Sequence, residues 1–156
     1  MNRKVVVQRV FPETLVLILD KRKSMVALKV LNSESLLLLD KDGVVLEFVE
    51  NSSLPTITVQ EQILGLSIGQ KLENKFTNAA MVFYLTYKTQ GIKGSVLAQK
   101  TLRFELSDGP VVLYSLDKDP QTSVGALQLI LSRSRIEGKL PKIIDLQYSK
   151  PVVRYN

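Results

Sequence analysis

The segment Gly65-Leu66-Ser67-Ile68-Gly69 matches the Gly-x-Ser-x-Gly pattern of a nucleophile elbow. In that motif the serine lies on a sharp turn between a strand and a helix, and a histidine takes its proton. This chain contains no histidine, and no sequence feature places a lysine beside Ser67 as a substitute base. We therefore interpret the segment as a glycine-punctuated loop before a helix, and we expect no catalytic residues and no enzyme activity.

Acidic residues come close together in two places. Asp40-Lys41-Asp42-Gly43 resembles the start of a calcium loop, but the glycine comes too early and the apolar run Val44-Val45-Leu46 follows. Asp-Gly between apolar runs is instead a strong β-hairpin signal. Asp117 and Asp119 also form a close carboxylate pair, but the role of helix N-cap is enough to account for Asp119. We expect no metal site and no cofactor.

The composition of the 156 residues narrows the classes of function further. Without cysteine there is no disulfide, thiolate nucleophile or cysteine zinc site, and the missing histidine is the commonest general base. A hydrophobic fraction of 45% with 23% charged residues is typical of one globular domain. The longest aliphatic runs are far too short for a transmembrane helix.

The chain is basic, since 21 Lys and Arg exceed 15 Asp and Glu and the formal net charge is +6. Nucleic acid, anionic lipid and anionic cell-wall polymer are the partners that such a charge attracts. The basic residues are spread along the chain, however, with Lys21-Arg22-Lys23 as the tight run, so a solvated surface accounts for them. Gly91-Ile92-Lys93-Gly94 matches the Gly-x-x-Gly loop with which KH domains bind nucleic acid. The KH loop lies between two helices, whereas this segment lies between a predicted helix and a predicted strand. We expect no nucleic-acid partner.

The periodicity of apolar residues places these segments on secondary structure. Runs of β-branched and apolar residues predict strands at 4–10, 14–20, 25–31, 36–40, 44–49, 56–59, 95–98, 102–106 and 111–115. Apolar residues at three- and four-residue steps predict a helix at 73–89, which Gly91 ends. A second helix begins after Asp119 with Pro120 in its first position, and Gly138 closes it. Hairpin-connected strands with two inserted helices predict an α+β fold, in which the two helices pack on a largely antiparallel β-sheet.

The last predicted strands are 142–148 and 151–155, joined by Ser149-Lys150. In the first of them the side chains alternate, which places Ile144, Leu146 and Tyr148 on one face and Asp145 and Gln147 on the other.

The second of these strands begins with Pro151. Proline donates no hydrogen bond to a ladder, so it lies at the start of a strand or on an edge. A terminal edge strand leaves backbone groups that another chain can extend by β-augmentation. The alternative is that this is simply the last strand of a closed sheet.

Five segments together resemble the FtsQ/DivIB family of bacterial cell-division proteins by their order and spacing. They are Phe11-Pro12-Glu13-Thr14-Leu15, Leu38-Leu39-Asp40-Lys41-Asp42-Gly43-Val44-Val45, Leu54-Pro55, Ile144-Asp145-Leu146-Gln147-Tyr148 and Pro151-Val152-Val153-Arg154. The resemblance spans nearly the whole chain. Members of that family have a cytoplasmic tail, one transmembrane helix, a POTRA domain and an extracytoplasmic β domain. The resemblance implies that residues 1–22 are the terminal strands of a POTRA-like domain and that residues 23–156 are the β domain.

The resemblance also implies a function. Family members are non-catalytic scaffolds of the divisome that bind FtsB/DivIC-like and FtsL-like proteins and help regulate septal peptidoglycan synthesis. It implies a parent protein anchored in the cell membrane by one helix that this sequence lacks, with the present domain on the extracytoplasmic side at the division septum. The alternative is a different extracytoplasmic binding module, one for an anionic cell-wall polymer or lipid.

In the family the partner adds alongside the C-terminal strand of the β domain. By motif position, Tyr148 matches the family's tyrosine and Tyr155 its terminal aromatic residue, whereas Gln147 stands where the family usually has arginine. The implied partner-binding residues are Gln147, Tyr148, Ser149, Val152, Val153, Arg154 and Tyr155.

Overall fold

The computed structural model describes residues 2–107 and 109–155. Ser107-Asp108-Gly109-Pro110 predicts a turn between the strands at 102–106 and 111–115. Asp108 of this turn lies outside the described residues, as do Met1 and Asn156. The strands are β1 (Asn2–Val10), β2 (Thr14–Lys21), β3 (Val26–Val30), β4 (Leu36–Leu39), β5 (Val45–Val49), β6 (Thr56–Val59), β7 (Ile92–Ala98), β8 (Thr101–Leu106), β9 (Val111–Ser115), β10 (Ile143–Asp145) and β11 (Val152–Arg154). The helices are α1 (Asn74–Gln90) and α2 (Pro120–Ile136).

Nine strands form one sheet in the order β11-β10-β9-β8-β7-β6-β3-β4-β5. Five of its neighbouring pairs are antiparallel, and the pairs β3–β6, β6–β7 and β9–β10 are parallel. The predicted α+β fold, with two helices on a largely antiparallel sheet, is therefore confirmed.

Two of the parallel pairs arise because a helix connects their strands. α1 lies between β6 and β7 in the chain, and α2 lies between β9 and β10. Both connections step in the same direction along the sheet from strands of the same orientation. Since such crossovers are right-handed, the two helices cover the same face. Their buried side chains and those of the sheet form one apolar core.

Alternating burial shows how the sheet separates this core from solvent. In β8, Leu102, Phe104 and Leu106 are buried, whereas Arg103 and Glu105 between them are exposed. This period of two is what the pleat of a strand imposes on a sheet with one covered face.

The hairpin of β1 and β2 forms a separate two-stranded sheet. All eight residues of β2 are exposed, although most of them are aliphatic. Val5, Leu17 and Leu19 lie on one face, and Val6 and Ile18 lie on the other. An isolated two-stranded hairpin is marginally stable in water. Solvent-exposed apolar residues on both of its faces are also unusual in a soluble protein.

The C-terminal strands are shorter than predicted. β10 ends at Asp145, so the predicted continuation of this strand through Tyr148 is wrong. Asp145 is also buried beside Ile144 and Leu146, whereas Tyr148 is 61% exposed. Ile144 and Leu146 both lie in the apolar core, and the Leu146 N–H still donates to the Leu113 carbonyl of β9 at 2.8 Å. The predicted placement of Ile144, Leu146 and Tyr148 on one face therefore fails at Tyr148.

Candidate partner-binding site

The strand β11 lies at one end of the nine-stranded sheet. It pairs antiparallel with β10, and the backbone N–H of Lys142 donates to the carbonyl oxygen of Arg154 at 2.8 Å. β10 in turn is parallel to β9, where the N–H of Val111 donates to the Lys142 carbonyl at 2.9 Å. Within the described residues β11 pairs on one side, and its other side is an edge of the sheet.

The opposite end of the sheet is different. At β5 the N–H of Val45 donates to the carbonyl of Gln70 at 2.9 Å, and the N–H of Gly69 donates to the Val45 carbonyl at 2.8 Å. A loop therefore pairs with the start of the β5 edge, whereas within the described residues no loop forms backbone hydrogen bonds with the outer side of β11.

A local turn explains why β10 ends at Asp145. The Oδ1 atom of this buried carboxylate accepts a hydrogen bond from the backbone N–H of Gln147 at 3.0 Å. Such a side-chain bond two residues onward is an Asx turn, which competes with the sheet ladder. The Gln147 amide oxygen then accepts a hydrogen bond from the Thr101 hydroxyl at 3.2 Å, at the start of β8. Gln147 is thus held by the domain itself.

Lys118, in the connection between β9 and α2, ties down the segment that follows. Its ammonium group donates to the carbonyl oxygen of Leu146 at 2.7 Å and also to that of Tyr148. These bonds use backbone carbonyls, so the Tyr148 ring is left free to project from a fixed main chain.

The Tyr148 segment and the start of α2 border a groove of about 340 Å³. Its apolar lining residues include Ala126, Leu146 and Pro151, and Tyr148 also lines it. The groove is therefore suited to an apolar side chain of a partner that lies along the neighbouring edge.

The beginning of α2 is rigidly built. The Asp119 carboxylate accepts hydrogen bonds from the Thr122 backbone N–H at 2.8 Å and from the Thr122 hydroxyl at 2.7 Å. These bonds favour the charged form, so they lower the pKa of Asp119 below its usual value. The Tyr114 hydroxyl donates to the Asp119 carbonyl at 3.2 Å, and burial raises the pKa of that phenol. The predicted N-cap of α2 is confirmed.

The structure brings the residues implied as partner-binding to one end of the sheet. Tyr148, Ser149, Val152 and Arg154 are exposed, and Gln147, Val153 and Tyr155 are half-buried. The Lys139 ammonium lies 4.7 Å from the centre of the Tyr155 ring. The sequence interpretation missed Lys118, because a lone lysine before a helix has no pattern that indicates a long-range backbone contact.

The other motifs take the structural places expected of them. Ser67 lies in a loop, where its N–H donates to the Gln70 side chain at 3.0 Å. Asp40 accepts from the N–H groups of Asp42 and Val44, both at 2.9 Å, inside the turn of the β4–β5 hairpin. Within residues 2–107 and 109–155, no group of three or more acidic side chains is arranged to hold a metal ion.

No protein-family model matches this chain, and no curated protein is significantly similar to it. Neither helix in the described ranges is both long and apolar enough to span a bilayer.

Proposed function

We propose that this chain is a non-catalytic divisome scaffold of the FtsQ/DivIB type, which binds FtsB/DivIC-like and FtsL-like proteins and helps regulate septal peptidoglycan synthesis. In this proposal the domain belongs to a membrane-anchored parent protein and lies on the extracytoplasmic side at the septum. The observation that carries it is the edge of β11, which offers backbone groups next to a groove at Tyr148. An extended partner segment would add to this edge as a further strand.

The charges near the edge indicate which partner segment fits. Lys142, Lys150 and Arg154 are all exposed around the β10–β11 pair. Opposite charges across an interface speed encounter and select the partner. A segment with acidic residues beside an apolar anchor therefore suits this site. Gln147 carries no charge that could pair with an acidic residue, whereas Arg154 carries a guanidinium.

The β1–β2 hairpin supports the proposed boundary near residue 22. Its separate sheet and its apolar residues on both faces are those expected of strands that complete another domain. In our proposal residues 1–22 supply the terminal strands of a POTRA-like domain.

The test is binding of the purified chain to the extracytoplasmic segments of FtsB/DivIC-type and FtsL-type proteins, measured by calorimetry. Replacement Tyr148→Ala should weaken binding about tenfold or more, because exposed tyrosines at interface centres contribute strongly to affinity. Deletion after Pro141 should abolish binding. Tyr87→Ala, which removes a 43% exposed tyrosine from α1, is the matched control and should leave affinity unchanged.

Circular dichroism and urea unfolding of each variant show whether the domain is still folded. Unchanged affinity of both the Tyr148→Ala variant and a folded C-terminal deletion would contradict the site. Salt provides a second check, since binding through backbone pairing should persist at an ionic strength that removes purely charge-driven association.

A further inference from the structure

A cleft of about 750 Å³ lies away from the β11 edge and shares no lining residue with the groove at Tyr148. Four segments form it: the end of β2 with the following residues, the β4–β5 turn, the loop before β6, and the second half of α1. Its volume is in the range of small-molecule sites.

The side chains that line this cleft carry a net positive charge. Five basic and two acidic side chains line it. Asp40 is buried and its carboxylate pairs with Arg22, so this pair contributes little net charge. Lys21, Lys23 and Lys41 are exposed, and none of them has an ion-pair partner within the described residues. These three ammonium groups are therefore available to bind an anion.

Another part of the lining is apolar and aromatic. Tyr84 and Tyr87 of α1 and the Leu54-Pro55 segment line it. The Lys88 ammonium lies 4.8 Å from the centre of the Tyr84 ring, and the Tyr87 ring stacks on Phe83 at 6.3 Å. Each ring is therefore held by a contact of its own, and each carries an apolar body with a polar hydroxyl.

We propose that this cleft binds a phosphorylated sugar or polyol ring, with the phosphate at Lys21, Lys23 and Lys41 and the ring against the tyrosines. Ammonium groups hold phosphate oxygens through charge-assisted hydrogen bonds. A phosphate without a ring would leave the aromatic part of the cleft unused, and a neutral sugar would leave the lysines unpaired. The same chemistry occurs in a soluble sugar phosphate and in an inositol lipid headgroup.

The test measures binding of glucose 1-phosphate, inorganic phosphate and glucose to the intact chain by NMR titration. Glucose 1-phosphate should bind more tightly than inorganic phosphate, and glucose should not bind at millimolar concentration. The triple variant Lys21→Gln, Lys23→Gln, Lys41→Gln should lose about tenfold or more in affinity for glucose 1-phosphate. A control that removes the same charge from exposed lysines elsewhere, Lys29→Gln, Lys71→Gln, Lys93→Gln, should change affinity less than about twofold.

A second variant tests the ring contact separately. Tyr87→Leu should remove the advantage of glucose 1-phosphate over inorganic phosphate and leave inorganic phosphate binding unchanged. Co-sedimentation with phosphatidylinositol and phosphatidylcholine vesicles distinguishes the sources. Binding to phosphatidylinositol vesicles alone, lost in the lysine variant, assigns the lipid headgroup, whereas binding to glucose 1-phosphate alone assigns the soluble ligand.

The proposal is overturned if neither probe binds, or if the control triple variant loses as much affinity as the cleft variant. Equal losses would mean that the overall positive charge, and not this cleft, attracts the anion. Because the cleft and the β11 edge use different residues, the lysine variant should still bind a protein partner, and failure of one proposal leaves the other testable.

Discussion

Lys118 donates a hydrogen bond from its ammonium group to the backbone carbonyl of Tyr148, thirty residues further along the chain. The same ammonium binds the Leu146 carbonyl. One side chain from the β9–α2 connection thus fixes two points of the segment that carries Tyr148. This contact determines where the tyrosine ring stands relative to the β11 edge and the adjacent groove.

Replacement Lys118→Met should therefore reduce partner binding without unfolding the domain. Methionine keeps the aliphatic length of the side chain but removes both hydrogen bonds, each of which contributes about 1 kcal/mol. We expect an unfolding free energy lower by about 2 kcal/mol in urea denaturation, and partner affinity weaker by about tenfold in calorimetry.

Lys100→Met is the matched control for this variant. Lys100 forms an exposed ion pair with Asp117 at 3.2 Å, and exposed pairs contribute little to stability. Both its affinity and its stability should stay close to those of the original chain. If Lys118→Met behaved like this control, the position of Tyr148 would not depend on Lys118.

The Asp119 cap should make the stability of the domain depend on pH in acid. Its folded-state pKa is lowered, first by the Thr122 backbone N–H and then by the Thr122 hydroxyl. A lowered folded pKa means that the stabilisation is fully present above the unfolded pKa, about 3.8, and is lost as pH falls through the folded value. Asp119→Ala should therefore destabilise the domain at pH 7, and the difference from the original chain should shrink below about pH 4.

Urea denaturation between pH 2.5 and pH 7 measures this difference. Thr122→Val is the matched variant, because it removes the hydroxyl donor but keeps the backbone donor. It should reproduce part of the pH dependence of the Asp119→Ala difference. A difference between Asp119→Ala and the original chain that stayed constant across this range would mean that the carboxylate charge has no part in capping.

Gly43 should not tolerate a side chain. Its φ of 77° is in the left-handed region, and an added Cβ would lie 2.0 Å from the Thr77 Oγ1 atom of α1. Backbone strain and overpacking each cost on the order of 1–3 kcal/mol, so Gly43→Ala should lower the unfolding free energy by about 3 kcal/mol. Thermal and urea denaturation measure this loss.

Gly125→Ala is the control for the general effect of replacing a glycine. Gly125 lies within α2, and apart from its chain neighbours and the backbone of its own helix, no described atom lies within 4 Å of an added Cβ. Alanine has the higher helix propensity, so this variant should gain about 0.5–1 kcal/mol. A neutral Gly43→Ala would show that the β4–β5 turn can move away from α1.

The features that sequence reasoning predicted well are those whose causes lie within a few residues. The hairpin of β4 and β5 follows from Asp42-Gly43 between apolar runs, and it is confirmed. The start of α2 follows from Asp119 and Pro120, because the cap bonds a backbone N–H only three residues away. In both cases the residues that determine the local structure belong to the turn or to the cap itself.

The course of the C-terminal segment depends instead on distant residues. The alternation of Ile144, Leu146 and Tyr148 is identical in a long strand and in one that ends early. β10 ends where the buried Asp145 carboxylate accepts a hydrogen bond from the Gln147 backbone N–H. Lys118 then binds the carbonyls of Leu146 and Tyr148, which a longer strand would have placed in a ladder.

The amino-acid sequence by itself determined the types of element, the caps and the turns, since these depend on local backbone preferences and on periodicity. Only the tertiary structure decided that β10 ends at Asp145 and leaves Tyr148 outside the core, and that Lys21 and Lys41, twenty residues apart, line one cleft. The physical reason is that burial and charge proximity arise from the packing of strands and loops distant in the chain, which no local pattern contains.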